Sequence, residues 1–438
     1  MVIFITLVAI IVVAFFVLSR KEKSPNTQNN GLNTSIIDDK NIKIVHVTDI
    51  HYLSPSLTDY GKSFVDTIEK SDGKMMRYID QIMDAFVLEM IRTKPDLVIV
   101  SGDMTYNGEK ESHIGLANKF KILKDKGIKV LVLPGNHDLE NEMALAFEGD
   151  ATRPVETVTI EEFEEIYKDY GYGKDDPDVV SRDKKSLNYV YQLGNKCHLI
   201  MVETSTKGND QTISNSSYRW IEKWLRKAKD MNMRVIGVSH QNILAHNKLF
   251  IAGYKITNSS RLVDLYNKYN VRINLSGHMH IQHMAEHKRV HDIALACLGL
   301  YPNLYGVLDM DLRNNMTYHT ESLDVAYWMK KYKHQDSDLL DFENTSREYF
   351  VRCTRLQTEK QLAKLDLSKE DKEMMMDFMV DPNIHYFSGS LDKRPDLSLD
   401  NPAYKLWMDH CERTFTGSYL NSIYTDTIGD HNMLEIFQ

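Results

Sequence analysis

LVLPGNHDLE, residues 131–140, carries an apolar run that stops at Pro134 and opens into Gly135-Asn136-His137-Asp138. The run reads as a strand, and the residues after it are of the kinds that bind metal, move protons or cap a turn. The same form recurs along the chain. A strand at Ile42–Val47 ends in Thr48-Asp49-Ile50-His51, and one at Leu97–Ser101 ends in Gly102-Asp103. Arg234–Val238 ends in Ser239-His240, and Val271–Leu275 ends in Ser276-Gly277-His278-Met279-His280. One such ending is an ordinary turn. Five in succession point to a shared site.

Working outward, further strands are expected at Leu187–Gln192, His198–Val202, Ile293–Cys297 and Leu304–Met310. Helical patterns lie between them. The clearest covers Lys74–Lys94, with Met75, Ile79, Ile82, Phe86 and Met90 on one face and Pro95 as a stop. Others are expected at Glu111–Lys126, Ser216–Lys229 and Ser260–Tyr269, and the alternation implies a layered α/β domain. From about Glu321 strand signals fade, so 41–324 is read as one α/β domain and 325–438 as a mostly helical C-terminal domain. Within the latter, Met374-Met375-Met376 and Phe378-Met379 read as core filler.

Hydrophobic and charged contents of 42% and 26% are those of a globular protein. The net charge of −9, without a Lys/Arg block interleaved with aromatics, argues against stable nucleic-acid binding. Four cysteines without CxxC spacing exclude a zinc knuckle.

Asp49, His51, Asp103, Asn136, His240, His278 and His280 form a mixed oxygen and nitrogen donor set. In D-x-H and H-x-H, alternation along an extended backbone would put both side chains on one side. Such donors suit Mn²⁺, Fe²⁺ or Zn²⁺ rather than Ca²⁺. One tetrahedral zinc needs three or four ligands, whereas seven suit two metals sharing a carboxylate. Two divalent ions about 3.5–4 Å apart can clamp a phosphoryl group and activate water. The glycines before Asp103, Asn136 and His278 are expected to let the backbone turn beside the metals.

In this order, D-x-H, G-D, G-N-H-D, a lone His and G-H-x-H resemble the calcineurin-like metallophosphoesterase family over residues 42 to about 320. The resemblance implies a four-layer α/β/β/α sandwich. It places one metal on Asp49, His51, Asp103 and His280, and the other on Asp103, Asn136, His240 and His278, with Asp103 as the bridge. It makes His137 a catalytic histidine that contacts the phosphate and protonates the leaving group, with Asp138 orienting or tuning it. Tyr106 in G-D-x-x-Y matches the iron-binding Tyr of purple acid phosphatases, but those lack a counterpart of His51, so Tyr106 is read as pocket wall or core. Asp49–Ser54 and Ser101–Lys110 together are most similar to bacterial class III cyclic-nucleotide phosphodiesterases, some of which carry a helical C-terminal domain. Gln241 stands where many relatives have a second His.

The function that this resemblance implies is hydrolysis of a small-molecule phosphodiester, 3′,5′-cyclic nucleotides first. The alternatives are another phosphoesterase (a phosphomonoesterase, a nuclease, or a nucleotide-sugar or lipid pyrophosphatase), a non-catalytic scaffold, or an envelope protein whose C-terminal domain binds a partner. The scaffold reading fits poorly, because none of the seven ligands is missing. His113 reads equally as support for the site or as helix surface, while His246 and Asn247 read as a loop polar pair in preference to residues that approach the substrate. His283, His287 and His291 recur at a helical spacing of four but border Lys288-Arg289, so a solvated surface is expected.

At the N-terminus, Val2–Leu18 is unbroken by charge and Arg20, Lys21 and Lys23 follow. Segment 1–19 reads as a transmembrane anchor rather than a cleaved signal, since no basic region precedes it and no small-x-small site follows. Residues 20–40 read as a flexible linker. The flanking basic residues favour a cytoplasmic domain, but long domains often translocate regardless of such charges. The expectation is therefore a cell-membrane anchor with the catalytic domain outside; secretion or a cytoplasmic orientation are the alternatives.

Overall fold

The computed structural model describes residues 40–206, 211–393 and 399–437. The expected N-terminal anchor and nearly all of the linker therefore fall outside the described residues. Among the described residues no helix is long and apolar enough to cross a membrane.

Two sheets form the α/β part of the chain. In the first, of six strands, the order is Met433–Ile436, Met316–Ser322, Leu304–Met310, Ile42–Val47, Leu97–Val100 and Lys129–Val132. The last three run parallel. In the second, of seven strands, the order is His283–His287, Val290–Ala294, Ile273–Ser276, Arg234–Ser239, Cys197–Val202, Tyr189–Leu193 and Val179–Arg182. Cys197–Val202, Arg234–Ser239 and Ile273–Ser276 are again parallel.

The alternation of side chains explains how the sheets pack. Leu199 and Met201 join the core that also contains Ile44 and Val98 of the first sheet. Their neighbours Ile200 and Val202 face Ile221, Trp224 and Leu225 of helix Asn215–Asp230 instead. A strand buried on both faces reads as a continuous apolar run, as these do. Helices Ile79–Thr93 and Lys110–Asp125 cover the first sheet through Phe86, Leu116 and Phe120. The order is thus helix, sheet, sheet, helix, the four-layer arrangement that the family resemblance implied.

The helical C-terminal region comprises Val325–Tyr332, Ser337–Leu340, Phe342–Leu362, Lys369–Phe387, Pro402–Cys411 and Phe415–Tyr424. Met375, Met376 and Met379 fill its core against Trp407 and Leu420, whereas Met374 is exposed. The chain then returns, and Met433–Ile436 pairs antiparallel with Met316–Ser322. The last residues therefore complete the first sheet rather than remaining in the helical region. All four cysteines are free and buried.

Candidate metal centre

Each expected ligand stands just beyond a parallel strand, and the two sheets bring these ends to one place. Asp49, His51, Asp103 and His280 hold donor atoms within 4.8 Å of one another, as do Asp103, His240 and His278. Asp103 belongs to both groups.

The backbone here is not extended, which corrects the expected alternation. Asp49, His51, Asp103, His278 and His280 all have positive φ, between 46° and 69°. Non-glycine residues adopt that region only where their surroundings hold them there, typically at functional sites. The restraints are on hand. Asp49 N–H donates to Gly102 O (3.0 Å), His51 N–H to Asp103 O (2.9 Å) and Gly277 N–H to His240 O (3.0 Å).

The glycines act more by making room than by turning. A Cβ on Gly135 would fall 2.2 Å from Asp103 Oδ1 and 2.3 Å from its N, and one on Gly102, which does have positive φ (+104°), 2.5 Å from His240 Nδ1. Gly135→Ala is therefore expected to displace Asp103 and weaken metal binding about 10- to 100-fold, read by metal titration. An alanine variant with unchanged affinity would refute the packing argument.

The donor chemistry fits a pair of cations. Asp49 Oδ2 accepts from His278 N–H at 2.9 Å, while its buried Oδ1 has no hydrogen-bond partner and faces His280 Nε2 at 3.3 Å. Asp103 Oδ1 accepts from His137 N–H at 2.9 Å, leaving Oδ2 near His240 Nε2 (3.2 Å) and His51 Nε2 (3.9 Å). His240 Nδ1 donates to the Ser101 carbonyl (3.0 Å) and His278 Nε2 to the Gly253 carbonyl (2.8 Å). Those bonds set the tautomers and aim His240 Nε2 and His278 Nδ1 inward, 3.2 Å apart, with Asn136 Oδ1 3.1 Å from the former. On the other side, His51 Nε2 and His280 Nε2 approach to 3.0 Å. Electron-rich atoms at such spacing repel unless positive charge is among them. Neighbouring ligands at about 2.1 Å from one ion are separated by about 3 Å.

Electrostatics carry the same demand. Burial works against ionising Asp103, but His240 and the other imidazoles hold its carboxyl well below the usual range. Burial lowers the His240 pKa, yet Asp103 outweighs it and raises it to about 9. A divalent ion competes for the place of that proton.

His137 belongs to neither group of converging donor atoms, although its Nε2 is no farther from Asp103 Oδ2 than His51 Nε2 is, both at 3.9 Å. Its Nδ1–H donates to the Tyr106 carbonyl (2.8 Å), with Asn107 Oδ1 at 2.9 Å, so Nε2 is the free ring nitrogen. Burial first, then Lys74 and His280, lower its pKa against the pull of Asp103.

Asp138 is placed differently from the expectation. Its carboxylate accepts from the Gly135, Met104 and Thr105 N–H groups (2.8, 3.2 and 2.9 Å) and from Thr105 Oγ1 (2.9 Å). It ties the GNHD turn to the segment after Asp103, and the ring of His137 is oriented by Tyr106 and Asn107 instead. Sequence reasoning missed Asn107; its place in Tyr106-Asn107-Gly108, a turn sequence, was the available signal. Tyr106 is partly buried against the core, as expected of pocket wall.

The remaining histidines resolve by environment. His113 is buried beneath the site, its Nε2–H donating to the Asp138 carbonyl at 2.8 Å and its Nδ1 accepting from Tyr167 Oη at 2.9 Å. His246 and Asn247 do lie in a loop, but they are buried rather than facing solvent. His246 packs against Asp292 (3.3 Å) and His283 (3.0 Å), and Asn247 donates to Tyr386 Oη and Ser422 Oγ of the C-terminal region. His283 and His287 lie on one strand and His291 on the next, so the helical spacing was accidental, and His283 is buried rather than solvated. Gln241 is also buried, where it accepts from Thr204 Oγ1.

Burial lowers the pKa of His113 to about 4 and of His46, bonded to Ser101 Oγ, to about 3. Their folded-state values are below that of the unfolded chain, near 6.5, so their stabilisation is complete above about pH 6.5 and declines as the pH falls. Each is expected to cost about 2 kcal/mol by pH 5. Urea unfolding at pH 7 and 5 reads this, with His113→Gln losing less than the parent; equal losses would refute it.

Residues 42–282 match the family model described as calcineurin-like phosphoesterase. Residues 324–430 match one described as the C-terminal domain of cyclic nucleotide phosphodiesterase. A probable glycerophosphodiester phosphodiesterase of Arcobacter nitrofigilis is 24% identical over 300 residues, covering 66% of this chain and 89% of that protein. A probable cyclic nucleotide phosphodiesterase of Xenorhabdus bovienii is 23% identical over 255 residues, covering 57% and 83%. Among solved structures, a dimetal phosphatase from Danio rerio aligns over 65% of this chain and 97% of that one, at 12% identity and a TM-score of 0.47.

Proposed function

We propose, starting from the fact that this chain belongs to the calcineurin-like phosphoesterase family and is a metal-dependent phosphodiesterase, that its substrates are 3′,5′-cyclic nucleotides, cAMP or cGMP. The observation that carries the substrate class is the match of residues 324–430 to the C-terminal domain of cyclic nucleotide phosphodiesterase. The likeness to a probable glycerophosphodiester phosphodiesterase favours a second reading, in which the diester links glycerol to a small alcohol.

Asp49, His51, Asp103 and His280 would hold one divalent ion, and Asp103, Asn136, His240 and His278 the other. The mixed donors suit Mn²⁺, Fe²⁺ or Zn²⁺. When bound, the two ions supply positive charge for the phosphoryl oxygens and activate water at neutral pH. The chain's own contributions are separable. Asp49 Oδ2 and Asp103 Oδ1 accept backbone N–H bonds that fix where their second oxygens point. His137, with Nδ1–H committed to the Tyr106 carbonyl, presents Nε2 to the substrate and, when protonated there, gives that proton to the departing alkoxide.

The test is a panel of 3′,5′-cAMP, 3′,5′-cGMP, 2′,3′-cAMP, p-nitrophenyl phosphate, a nucleotide-sugar and glycerophosphoethanolamine with the full-length, Mn²⁺-loaded protein. The highest kcat/KM on the 3′,5′-cyclic nucleotides is expected. A preference for glycerophosphoethanolamine would replace this reading with the second, and a preference for the monoester would overturn both.

A further inference from the structure

We propose that Lys74 binds the phosphoryl group of the substrate beside the metal centre, and that helix Phe342–Leu362 of the C-terminal region positions it; this rests on the phosphodiesterase reading above. Lys74 is only 7% exposed, a degree of burial that lysine tolerates when paired. Its partner is Asp72, with Nζ 2.7 Å from Oδ2. An ammonium has three donors, and among the described residues this pair engages one of them.

The location of Lys74 is what makes the pair more than structural. The next residue is pinned to the wall of the centre, because Met75 N–H donates to Gly299 O at 2.7 Å. Nearby, Cys297 Sγ donates to the carbonyl of the ligand Asp49 at 2.9 Å. A buried cation is thus carried on the segment that hydrogen-bonds the wall behind the ligand Asp49. Hydrolysis of a phosphodiester gathers negative charge on the phosphoryl oxygens, and a compact ammonium in a dry site stabilises that charge strongly.

The loop bearing Lys74 is held from outside the catalytic domain. Tyr349 Oη donates to Glu69 O (2.8 Å), and Gln357 Nε2 donates to Lys70 O (2.9 Å) and Ser71 O (2.6 Å). Gly73, at φ +91°, lies against Phe350 and Cys353, to whose atoms a Cβ there would come within 3.5 and 3.6 Å. Positions 349, 350, 353 and 357 share one face of the helix. The carbonyls of residues 69–71 thus have donors from the C-terminal helix, and the short segment from 72 to 74 follows directly. On this account the helical region acts on catalysis by keeping a substrate-binding cation in place.

The test uses the full-length, Mn²⁺-loaded protein and three variants: Lys74→Met, Lys74→Arg, and the clamp pair Tyr349→Phe with Gln357→Ala. Equilibrium dialysis measures binding of inorganic phosphate, metal analysis measures occupancy, and bis(p-nitrophenyl) phosphate kinetics separate KM from kcat. Lys74→Met is expected to weaken phosphate binding on the order of 10- to 100-fold and raise KM with full metal content. Lys74→Arg should remain within several-fold of the parent, and the clamp pair should weaken phosphate binding about 3- to 10-fold with Lys74 still present. Unchanged phosphate binding in Lys74→Met, or loss of metal alongside it, overturns the assignment of Lys74. Unchanged binding in the clamp pair overturns the positioning role. Should Lys74→Met not fold, parent-like binding in the clamp pair together with a large loss in Lys74→Arg would overturn the proposal. If the parent hydrolyses no diester, the phosphodiesterase reading fails, while dialysis still decides whether Lys74 binds phosphate.

Discussion

Asp103→Ala is expected to slow hydrolysis of bis(p-nitrophenyl) phosphate by roughly 10³-fold or more and to lower metal content below two ions per chain. Asp103 Oδ2 is the oxygen that faces both donor groups, 3.2 Å from His240 Nε2 and 3.9 Å from His51 Nε2. Removing it takes a negative charge from each group at once, so neither His51–His280 nor His240–His278 keeps its full donor set. Several kcal/mol of transition-state charge stabilisation depend on that pair of cations, and each 1.36 kcal/mol is tenfold in rate. Asp103→Asn separates charge from shape. Its carbonyl oxygen can still accept from His137 N–H, so the turn persists while affinity for the cations falls. Near-parental turnover in Asp103→Ala would end the shared-carboxylate reading.

His137→Ala should be as damaging to rate and harmless to metal binding. A loss of about 10²–10⁴-fold in kcat is expected, with two ions retained. The reason is geometric. His137 joins neither group of converging donor atoms, and its Nδ1 is occupied by the Tyr106 carbonyl and Asn107 Oδ1. The ring is anchored by the chain rather than by the ligand cluster. A proton donor matters most when the departing oxygen is strongly basic, so the loss should be smallest for p-nitrophenyl esters and largest for alkyl or nucleoside diesters. Metal loss in His137→Ala would make it a ligand, and an equal loss for all leaving groups would remove its role as acid.

Much of this was legible from residue types and spacing. The Asp, Asn and His residues fall just beyond apolar β-branched runs, and parallel strands place such ends along one edge. The strands around the site were accordingly expected close to their observed bounds, as with Ile42–Val47 and Leu304–Met310. Peripheral strands were not. Val179–Arg182, His283–His287 and Met433–Ile436 are half-buried or exposed edge or near-edge strands. They carry polar or mixed side chains, so their pairing depends on a neighbour supplied by the fold. Helix Lys369–Phe387 continues through Pro382, with Pro382 and Tyr386 buried. There, packing outweighs the local penalty for proline.

The same division holds inside the site. Which residues could bind metal followed from sequence because donor chemistry belongs to the side chain itself. Which atom each presents did not, because a ring's tautomer and a carboxylate's free oxygen are set by partners remote in sequence: Ser101 O for His240, Gly253 O for His278, His278 N–H for Asp49. Asp138 next to His137 invited a link between neighbours, yet at a tight turn adjacent side chains diverge, and Asp138 bonds Met104 and Thr105 instead. Donor identity, strand order and family membership are properties of the chain read in one dimension. The free nitrogen of His137, the shared oxygen of Asp103 and the reach of the C-terminal helix to the Lys74 loop are contacts between distant segments, and only the folded chain could place them.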